Sequence, residues 1–174
     1  MHAEAQRLGE GERRDAAPLY TPAERARRDA SIWTLVQGIL APVQFLVFLV
    51  SLALVLRYLA TGSGAQAAVV SVIAKTAVLY LIMVTGSIWE KVVFGKWLFA
   101  RAFFWEDMVS MLVLALHTAY LVALGWDLLA PRALMLLALA AYASYVVNAA
   151  QFLLKLRAAR LQAAREPSLR MAPA

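Results

Sequence analysis

The sequence contains no cysteine, and only 16% of its 174 residues are charged. The lack of cysteine excludes disulfide bonds, thiol catalysis and any metal site with sulfur ligands. A soluble domain is typically about half apolar and about a quarter charged, whereas this chain is 63% hydrophobic. The scarcity of charge therefore favours a protein that places its apolar residues in a lipid bilayer.

Four long apolar segments account for the excess of hydrophobic residues. They run from about Trp33 to Leu59, Ala67 to Trp89, Phe104 to Trp126, and Pro131 to Leu154. Each exceeds the roughly 20 residues that a helix needs to cross the hydrocarbon core. We therefore predict an all-α integral membrane protein, a four-transmembrane-helix bundle over residues 33–154 with polar tails at 1–32 and 155–174.

The amino tail lacks the apolar stretch and small-residue cleavage site of a signal peptide, so we expect no cleavage and insertion directed by the first span. Within that tail, PAERARRDA (22–30) predicts a short interfacial helix. In the carboxyl tail, LRAARLQAAR (156–165) is expected to continue the fourth helix beyond the membrane. The glycine-rich stretch at 62–64 is expected to be a turn.

Basic residues predict the orientation of the spans. Six Lys and Arg residues lie in the amino tail, three in the middle loop and five in the carboxyl tail, whereas only Arg57 and Arg132 flank the other side and Lys75 lies inside a span. The positive-inside rule then puts both termini and the middle loop in the cytoplasm. Because the charge clusters sit at membrane ends, nucleic acid is not an expected partner.

The middle loop and its flanks, SIWEKVVFGKWLFARAFFWED (87–107), combine seven aromatic residues with three basic ones. One interpretation is an amphipathic segment in the headgroup region, with the loop itself at 90–103. A compatible one is a surface for a flat, apolar, anionic ligand. In that interpretation the substrate-binding candidates are three tryptophans and three basic residues, namely Trp89, Trp97, Trp105, Lys91, Lys96 and Arg101.

Three carboxyl groups flank this loop and are the candidate catalytic residues. Glu106 and Asp107 open the third apolar segment, where carboxylates also cap a helix amino terminus. Glu90 lies at the end of the second segment, where a surface ion pair is the alternative role. In apolar surroundings, one of these groups is expected to act as an acid near neutral pH.

His117 lies eleven residues after Glu106, which puts it on the same helix face and roughly 16 Å deeper. Lys75 lies at a comparable depth in the second segment, and an ionisable residue inside a membrane span is a functional-site candidate. An interhelical hydrogen bond and a ligand role are both open for His117. A single intramembrane histidine excludes a bis-histidine haem, and no spacing of a protein metal site occurs.

Amide side chains add polar groups to the same half of the bundle. Gln37 and Asn148 are further substrate-binding candidates, although hydrogen bonding between helices is the more common role of such groups. Together with the three carboxyl groups they converge near the cytoplasmic face, where we expect a pocket to open.

Three stretches resemble the 3-vinyl bacteriochlorophyllide hydratase family of phototrophic bacteria: PLYTPAERARRDASIWTLVQGILAPVQFLVFLVSL, GSIWEKVVFGKWLFARAFFWEDMVSMLVLALHTAYL and NAAQFLLKLRAARL. The likeness covers about Pro18 to Leu161. It implies a hydro-lyase that adds water to the ring-A vinyl group of chlorophyllide a or 3-vinyl bacteriochlorophyllide a, giving a 1-hydroxyethyl group. It also implies a multi-pass protein of the bacterial inner membrane, cytoplasmic or intracytoplasmic.

The resemblance implies no cofactor, because the substrate already contains magnesium. The expected partners are this substrate and the lipid bilayer, and other pigment-biosynthesis enzymes or a homo-oligomer are left open. In the hydratase hypothesis Glu106 protonates the vinyl group, with Glu90 or Asp107 as its counterpart, and His117 is a candidate axial ligand to the substrate magnesium. The alternatives are a non-catalytic pigment-binding or assembly protein and, less favoured, a transporter subunit.

Overall fold

The computed structural model describes residues 19–170, with side-chain positions for residues 19–161. In that part of the chain the structure has five helices: α1 (Pro22–Ala30), α2 (Ile32–Thr61), α3 (Ala65–Phe94), α4 (Phe104–Gly125) and α5 (Pro131–Arg170). Helices α2 to α4 and the Pro131–Leu161 part of α5 are long and apolar enough to cross a membrane. The predicted all-α, four-span architecture is therefore confirmed.

The helix ends follow local sequence signals. Thr21 and Glu24 form a reciprocal capping box at the start of α1, with Pro22 in the first turn, as expected for this pattern. The predicted short helix at 22–30 and the continuation of the fourth span past the membrane are both present. Residues 1–18 and 171–174 of the predicted tails lie outside the described residues.

Short turns make two helical hairpins. Gly62 and Gly64 adopt left-handed backbone angles (φ +70° and +83°) between α2 and α3, which glycine accepts without steric cost. A second short connection, 126–130, joins α4 to α5. The helices pack more extensively within each hairpin than between the hairpins. We call α2–α3 the first hairpin and α4–α5 the second.

The hairpins meet around a core of buried apolar and aromatic side chains. Its members include Phe48, Val55, Val72, Leu79, Val113, Tyr120, Met135, Ala138 and Tyr142. Only 22–39% of the 18 most apolar consecutive residues of each span are buried inside the molecule. Most of the apolar surface therefore faces outward, where lipid covers it.

One end of the bundle carries α1, the connection between α3 and α4 (95–103) and the start of the α5 extension. We call it the basic end. Arg27 ties α1 to this end, because its Nε donates to the carbonyl of Val93 over 2.8 Å. Helix α3 stops at Gly95, whose φ of +78° is again left-handed and whose N–H donates to the Lys91 carbonyl.

The turn at Gly95 gives a first test. Alanine at this position has no steric neighbour within 4 Å, but the left-handed backbone costs a residue with a Cβ about 1–2 kcal/mol. We expect Gly95→Ala to lower the unfolding free energy by that amount in detergent micelles. Gly38→Ala is the matched control, since Gly38 lies in regular helix with equally open space. Equal thermal stability of the two variants would contradict the role of Gly95.

Candidate functional site

The three predicted carboxyl residues lie together and are buried at the basic end. Glu90, Glu106 and Asp107 have exposed fractions of 5%, 7% and 3%, and we call them the carboxyl cluster. Glu90 comes from the last turns of α3, whereas Glu106 and Asp107 come from the first turn of α4. None of the three faces bulk solvent.

Backbone N–H groups of the 95–103 connection cover two of these carboxyl groups. The N–H of Ala100 donates to Glu90 Oε2 over 3.1 Å, and the N–H of Phe99 donates to Asp107 Oδ2 over 2.8 Å. Phe99 has a positive φ of 59°, which is uncommon for a residue other than glycine. The connection thus folds back over the cluster, and its backbone replaces water as the hydrogen-bond donor.

Glu90 and Asp107 also interact side chain to side chain, across the boundary between the two hairpins. Two ionised carboxylates have no hydrogen atom to share, so a hydrogen bond between carboxyl groups requires a proton on one of them. This pair is therefore an arrangement that can hold a proton in a site largely closed to water.

Glu106 points to the other neighbour, α5. Its carboxylate forms an ion pair with Lys155, whose Nζ lies 2.5 Å from Oε2. Its backbone carbonyl accepts hydrogen bonds from Ser110 Oγ (2.8 Å) and Asn148 Nδ2 (2.9 Å). Successive residues of a helix project about 100° apart, which explains how Glu106 faces α5 while Asp107 faces α3.

Lys155 was missed as a site residue in the sequence, where it served only to orient the carboxyl tail. Its spacing held a usable signal, because it follows Asn148 by seven residues and Gln151 by four, which are helical repeats of one face. Asn148 was predicted as a site residue and lies beside Glu106, where it also bonds to Ser110 over 3.0 Å.

The aromatic residues of the basic end divide into two groups. Trp89, Phe94 and Phe103 pack on one another with ring centroids 5.6–5.8 Å apart. Tyr20 covers Phe94 at 5.7 Å, and Phe152 stacks on Phe103 at 5.8 Å. This inner group forms a small core of its own. Trp89 packs against these rings and donates its indole N–H to Thr34 Oγ1 over 2.9 Å.

The outer group remains open. The exposed fractions of Trp97 and Trp105 are 58% and 71%, and Phe104 is also exposed. Phe104 and Trp105 immediately precede Glu106, so an open aromatic surface adjoins the carboxyl cluster. The sequence alone did not separate these rings from the inner ones.

Helix α1 and residues 19–21 before it cover the inner rings. Tyr20 is buried, and burial raises the pKa of its phenol above the ordinary value, although the nearby Arg28 guanidinium acts in the opposite direction. That guanidinium lies 4.7 Å from the centre of the Tyr20 ring. Tyr20 and α1 are therefore packed against the inner group of rings.

The predicted basic residues of the loop lie outside the carboxyl cluster. Lys91, Lys96 and Arg101 are exposed. Lys91 Nζ donates to the carbonyl of Gly95 over 3.0 Å and lies 5.8 Å from the Trp97 ring centre. These residues can meet an anionic group at the surface, whereas Lys155 is the cation that reaches the acids.

Gln37 and His117 are separated from the carboxyl cluster. Gln37 donates to Thr85 Oγ1 over 2.8 Å within the first hairpin. His117 is fully enclosed, with Nδ1 2.8 Å from the Val113 carbonyl and Nε2 without a partner. It lies roughly 16 Å from Glu106 along α4. A macrocycle would reach His117 only if the helices moved apart.

Among the described residues, neither a metal-binding group nor the hollow described below lies at the carboxyl cluster. Within residues 19–170, no three His, Asp or Glu side chains are grouped so as to hold a metal ion. A hollow of about 180 Å³ lies at the opposite end of the bundle, lined by residues that include Ala65, Gln66, Asp127 and Met135. That hollow is remote from the carboxyl cluster and is not the recess expected there.

The fold and the carboxyl cluster define a multi-pass membrane protein with buried groups suited to proton transfer. Comparison with known proteins is consistent with this class. A family model described as 2-vinyl bacteriochlorophyllide hydratase matches residues 20–158. No solved structure matches the chain.

Two curated relatives named 2-vinyl bacteriochlorophyllide hydratase are each 66% identical to this chain. The protein of Rhodobacter capsulatus aligns over 151 residues, which are 85% of this chain and 86% of the relative. The protein of Cereibacter sphaeroides aligns over 150 residues, which are 84% and 92%. The chain belongs to the 2-vinyl bacteriochlorophyllide hydratase family, and the resemblance seen in the sequence is confirmed.

The ion pair at Glu106 gives a second test. Lys155→Met leaves a buried carboxylate without its cation, and the side chain of Lys155 is 25% exposed. Because that exposure lessens the penalty, we expect a loss of about 1–2 kcal/mol in unfolding free energy. Lys96→Met, at an exposed lysine, is the control and should change stability little.

A double-mutant cycle separates the ion pair from the packing of the lysine stem. Adding Glu106→Gln to Lys155→Met removes the unpaired charge, so the double variant should recover part of the lost stability. Strictly additive losses in thermal unfolding would show that the pair is not coupled.

Proposed function

We propose that the chain adds water to the vinyl group of a chlorophyllide or bacteriochlorophyllide and that the carboxyl cluster performs the acid–base chemistry. The observation that supports this most directly is the burial of Glu90, Glu106 and Asp107 in one group in a member of a hydratase family. A non-catalytic pigment carrier has no need of three buried acids.

The substrate is proposed to be chlorophyllide a or 3-vinyl bacteriochlorophyllide a. Older numbering of the macrocycle places the ring-A vinyl group at position 2 and current numbering at position 3, so the family name and the predicted substrate describe one substituent. The macrocycle is flat and apolar, which suits the open rings Phe104 and Trp105 beside Glu106. Its carboxylate can meet Lys91, Lys96 or Arg101 at the surface.

In the first step, the Glu90–Asp107 pair gives its proton to the terminal vinyl carbon. The electron pair of the double bond forms the new C–H bond, and the positive charge left on the adjoining carbon is delocalised into the macrocycle. A carboxyl pair that holds a proton away from water is suited to this donation.

In the second step, the oxygen of a water molecule bonds to the cationic carbon and Glu106 accepts the released proton. Glu106 is placed to accept it, because its carboxyl group is buried with the other two acids and Lys155 Nζ lies 2.5 Å from its Oε2. Transfer of that proton to the Glu90–Asp107 pair restores the starting state, and the product carries –CH(OH)–CH₃. The sequence favoured Glu106 as the acid, whereas the contacts favour Glu106 as the base.

The proposed mechanism does not require His117. The Nε2 atom of His117 has no partner, so its lone pair is available to a magnesium ion. The separation of about three helical turns from Glu106 argues against one bound substrate engaging both residues at once. The carboxyl cluster, with Asn148 as a positioning residue for Glu106, therefore carries the mechanism without His117.

The basic end is proposed to face the cytoplasm, in the inner membrane of a phototrophic bacterium. The distribution of Lys and Arg supports this orientation. It places the carboxyl cluster near the inner leaflet and leaves the 62–64 turn on the opposite side.

Carboxamide variants test the catalytic assignment. Glu90→Gln, Asp107→Asn and Glu106→Gln each remove a proton-transfer group at nearly constant shape, so we expect each to lower turnover by at least about 100-fold while pigment binding persists. Membranes from a host without this pathway are supplied with chlorophyllide a, and chromatography detects a more polar, blue-shifted product.

The matched control for these variants is Asp127→Asn. Asp127 lies at the opposite end with a φ of 50°, a conformation that asparagine also tolerates, so turnover should remain near that of the unchanged protein. Normal turnover in all three cluster variants would refute the mechanism. Normal turnover in Glu106→Gln alone would remove only the proposed base.

Single cysteines test the orientation, since the chain has none of its own. In intact cells with a permeabilised outer membrane, a membrane-impermeant maleimide should label Ser63→Cys and not Lys96→Cys. Disruption of the inner membrane should make Lys96→Cys reactive. Labelling of Lys96→Cys and not of Ser63→Cys in intact cells would contradict the proposed orientation and indicate the opposite one.

A further inference from the structure

A second group of polar side chains lies in the middle of the bundle, away from the carboxyl cluster. Gln44, Lys75, His117 and Tyr120 are each at most 2% exposed. Each has at least one side-chain nitrogen or oxygen with no hydrogen-bond partner from the protein: both amide atoms of Gln44, Lys75 Nζ, His117 Nε2 and the Tyr120 hydroxyl. We call these four residues the mid-bundle cluster.

Three helices contribute to this cluster, and the tyrosines of α5 connect its members. Lys75 Nζ lies 3.9 Å from the centre of the Tyr145 ring and 6.0 Å from that of Tyr142. The His117 ring centre lies 5.9 Å from that of Tyr142. Lys75 and His117 are also close enough to interact electrostatically, as are Tyr120 and Tyr142.

Gln44 lies on the same side of α2 as this group. Ser51, seven residues later, hydrogen-bonds to the Tyr142 hydroxyl over 2.5 Å, and Phe48, one turn after Gln44, packs on Tyr145 at 4.9 Å. Residues at this spacing share one helix face. The amide of Gln44 therefore faces the same interior as the other three groups.

The unpaired atoms offer both donors and acceptors. His117 Nδ1 lies 2.8 Å from a carbonyl oxygen, which only accepts, so Nδ1 carries the hydrogen and Nε2 is an acceptor. Lys75 Nζ donates, and the Gln44 amide and the Tyr120 hydroxyl can both donate and accept. An apolar ligand would satisfy none of these atoms.

Water matches this mixture of donors and acceptors. Inside a bilayer every polar group needs a partner, because the hydrocarbon offers none, and buried water typically binds where two to four polar groups converge. We propose that the mid-bundle cluster is an internal binding site for water molecules within the membrane. This proposal does not depend on the hydratase mechanism, since solvent contact can be measured without turnover.

X-ray radiolytic footprinting in ¹⁸O-labelled water tests the proposal on the unchanged protein. Hydroxyl radicals form from water next to the side chain that they oxidise. The buried rings Tyr120 and Tyr142 should therefore be labelled about tenfold faster than Phe103 if water is bound beside them. Phe103 is an equally buried aromatic residue that is enclosed mainly by other rings, with Lys155 Nζ 5.1 Å from its ring centre. Labelling of both tyrosines as slow as that of Phe103 overturns the proposal.

Variants then assign the residues that hold the water. Gln44→Leu combined with Lys75→Met replaces two polar groups by apolar ones of similar size, and labelling of Tyr120 should fall to the rate of Phe103. Persistent fast labelling in the folded double variant would show that these two residues do not hold the water. If the double variant does not fold, the comparison in the unchanged protein still decides whether the site exists.

Discussion

Polar contacts across the boundary between the two hairpins are the interactions on which this architecture depends. Lipid tails are as apolar as the side chains that they surround. Burial of apolar side chains therefore contributes little to the free energy of association of membrane helices. Here Ser51 bonds to Tyr142, Tyr80 bonds to Thr118 over 2.8 Å, and Glu90 meets Asp107. These contacts join hairpins that otherwise pack mainly within themselves.

The same boundary holds the groups suited to chemistry. Glu90 belongs to one hairpin and Asp107 to the other, so the pair exists only when the two halves are assembled. The 95–103 connection is the covalent link between the halves, and its backbone N–H groups at Phe99 and Ala100 fix both carboxyl groups. Assembly of the bundle and formation of the carboxyl cluster are consequently one event.

Local sequence patterns were sufficient to predict the helices but not the contacts between side chains of different helices. Apolar runs of span length indicated the four membrane helices, and the stretch PAERARRDA at 22–30 indicated α1, whose capping box only the structure revealed. The apolar flanks of Glu90, Glu106 and Asp107 favoured apolar surroundings for at least one of them, but left a surface ion pair open for Glu90. The ion pair of Glu106 with Lys155, and the division of the aromatic residues into enclosed and open groups, depend on how helices rotate against each other, which no local pattern specifies.

The length of α5 has a mechanical consequence. Its 40 residues correspond to about 60 Å of helix, roughly twice the thickness of the hydrocarbon core. Lys155 and Asn148 lie on this one continuous rod, close to where it leaves the bilayer. If the part of α5 that projects from the membrane tilts, the continuous helix carries that tilt to Asn148 and Lys155, and so displaces the side chains that position Glu106.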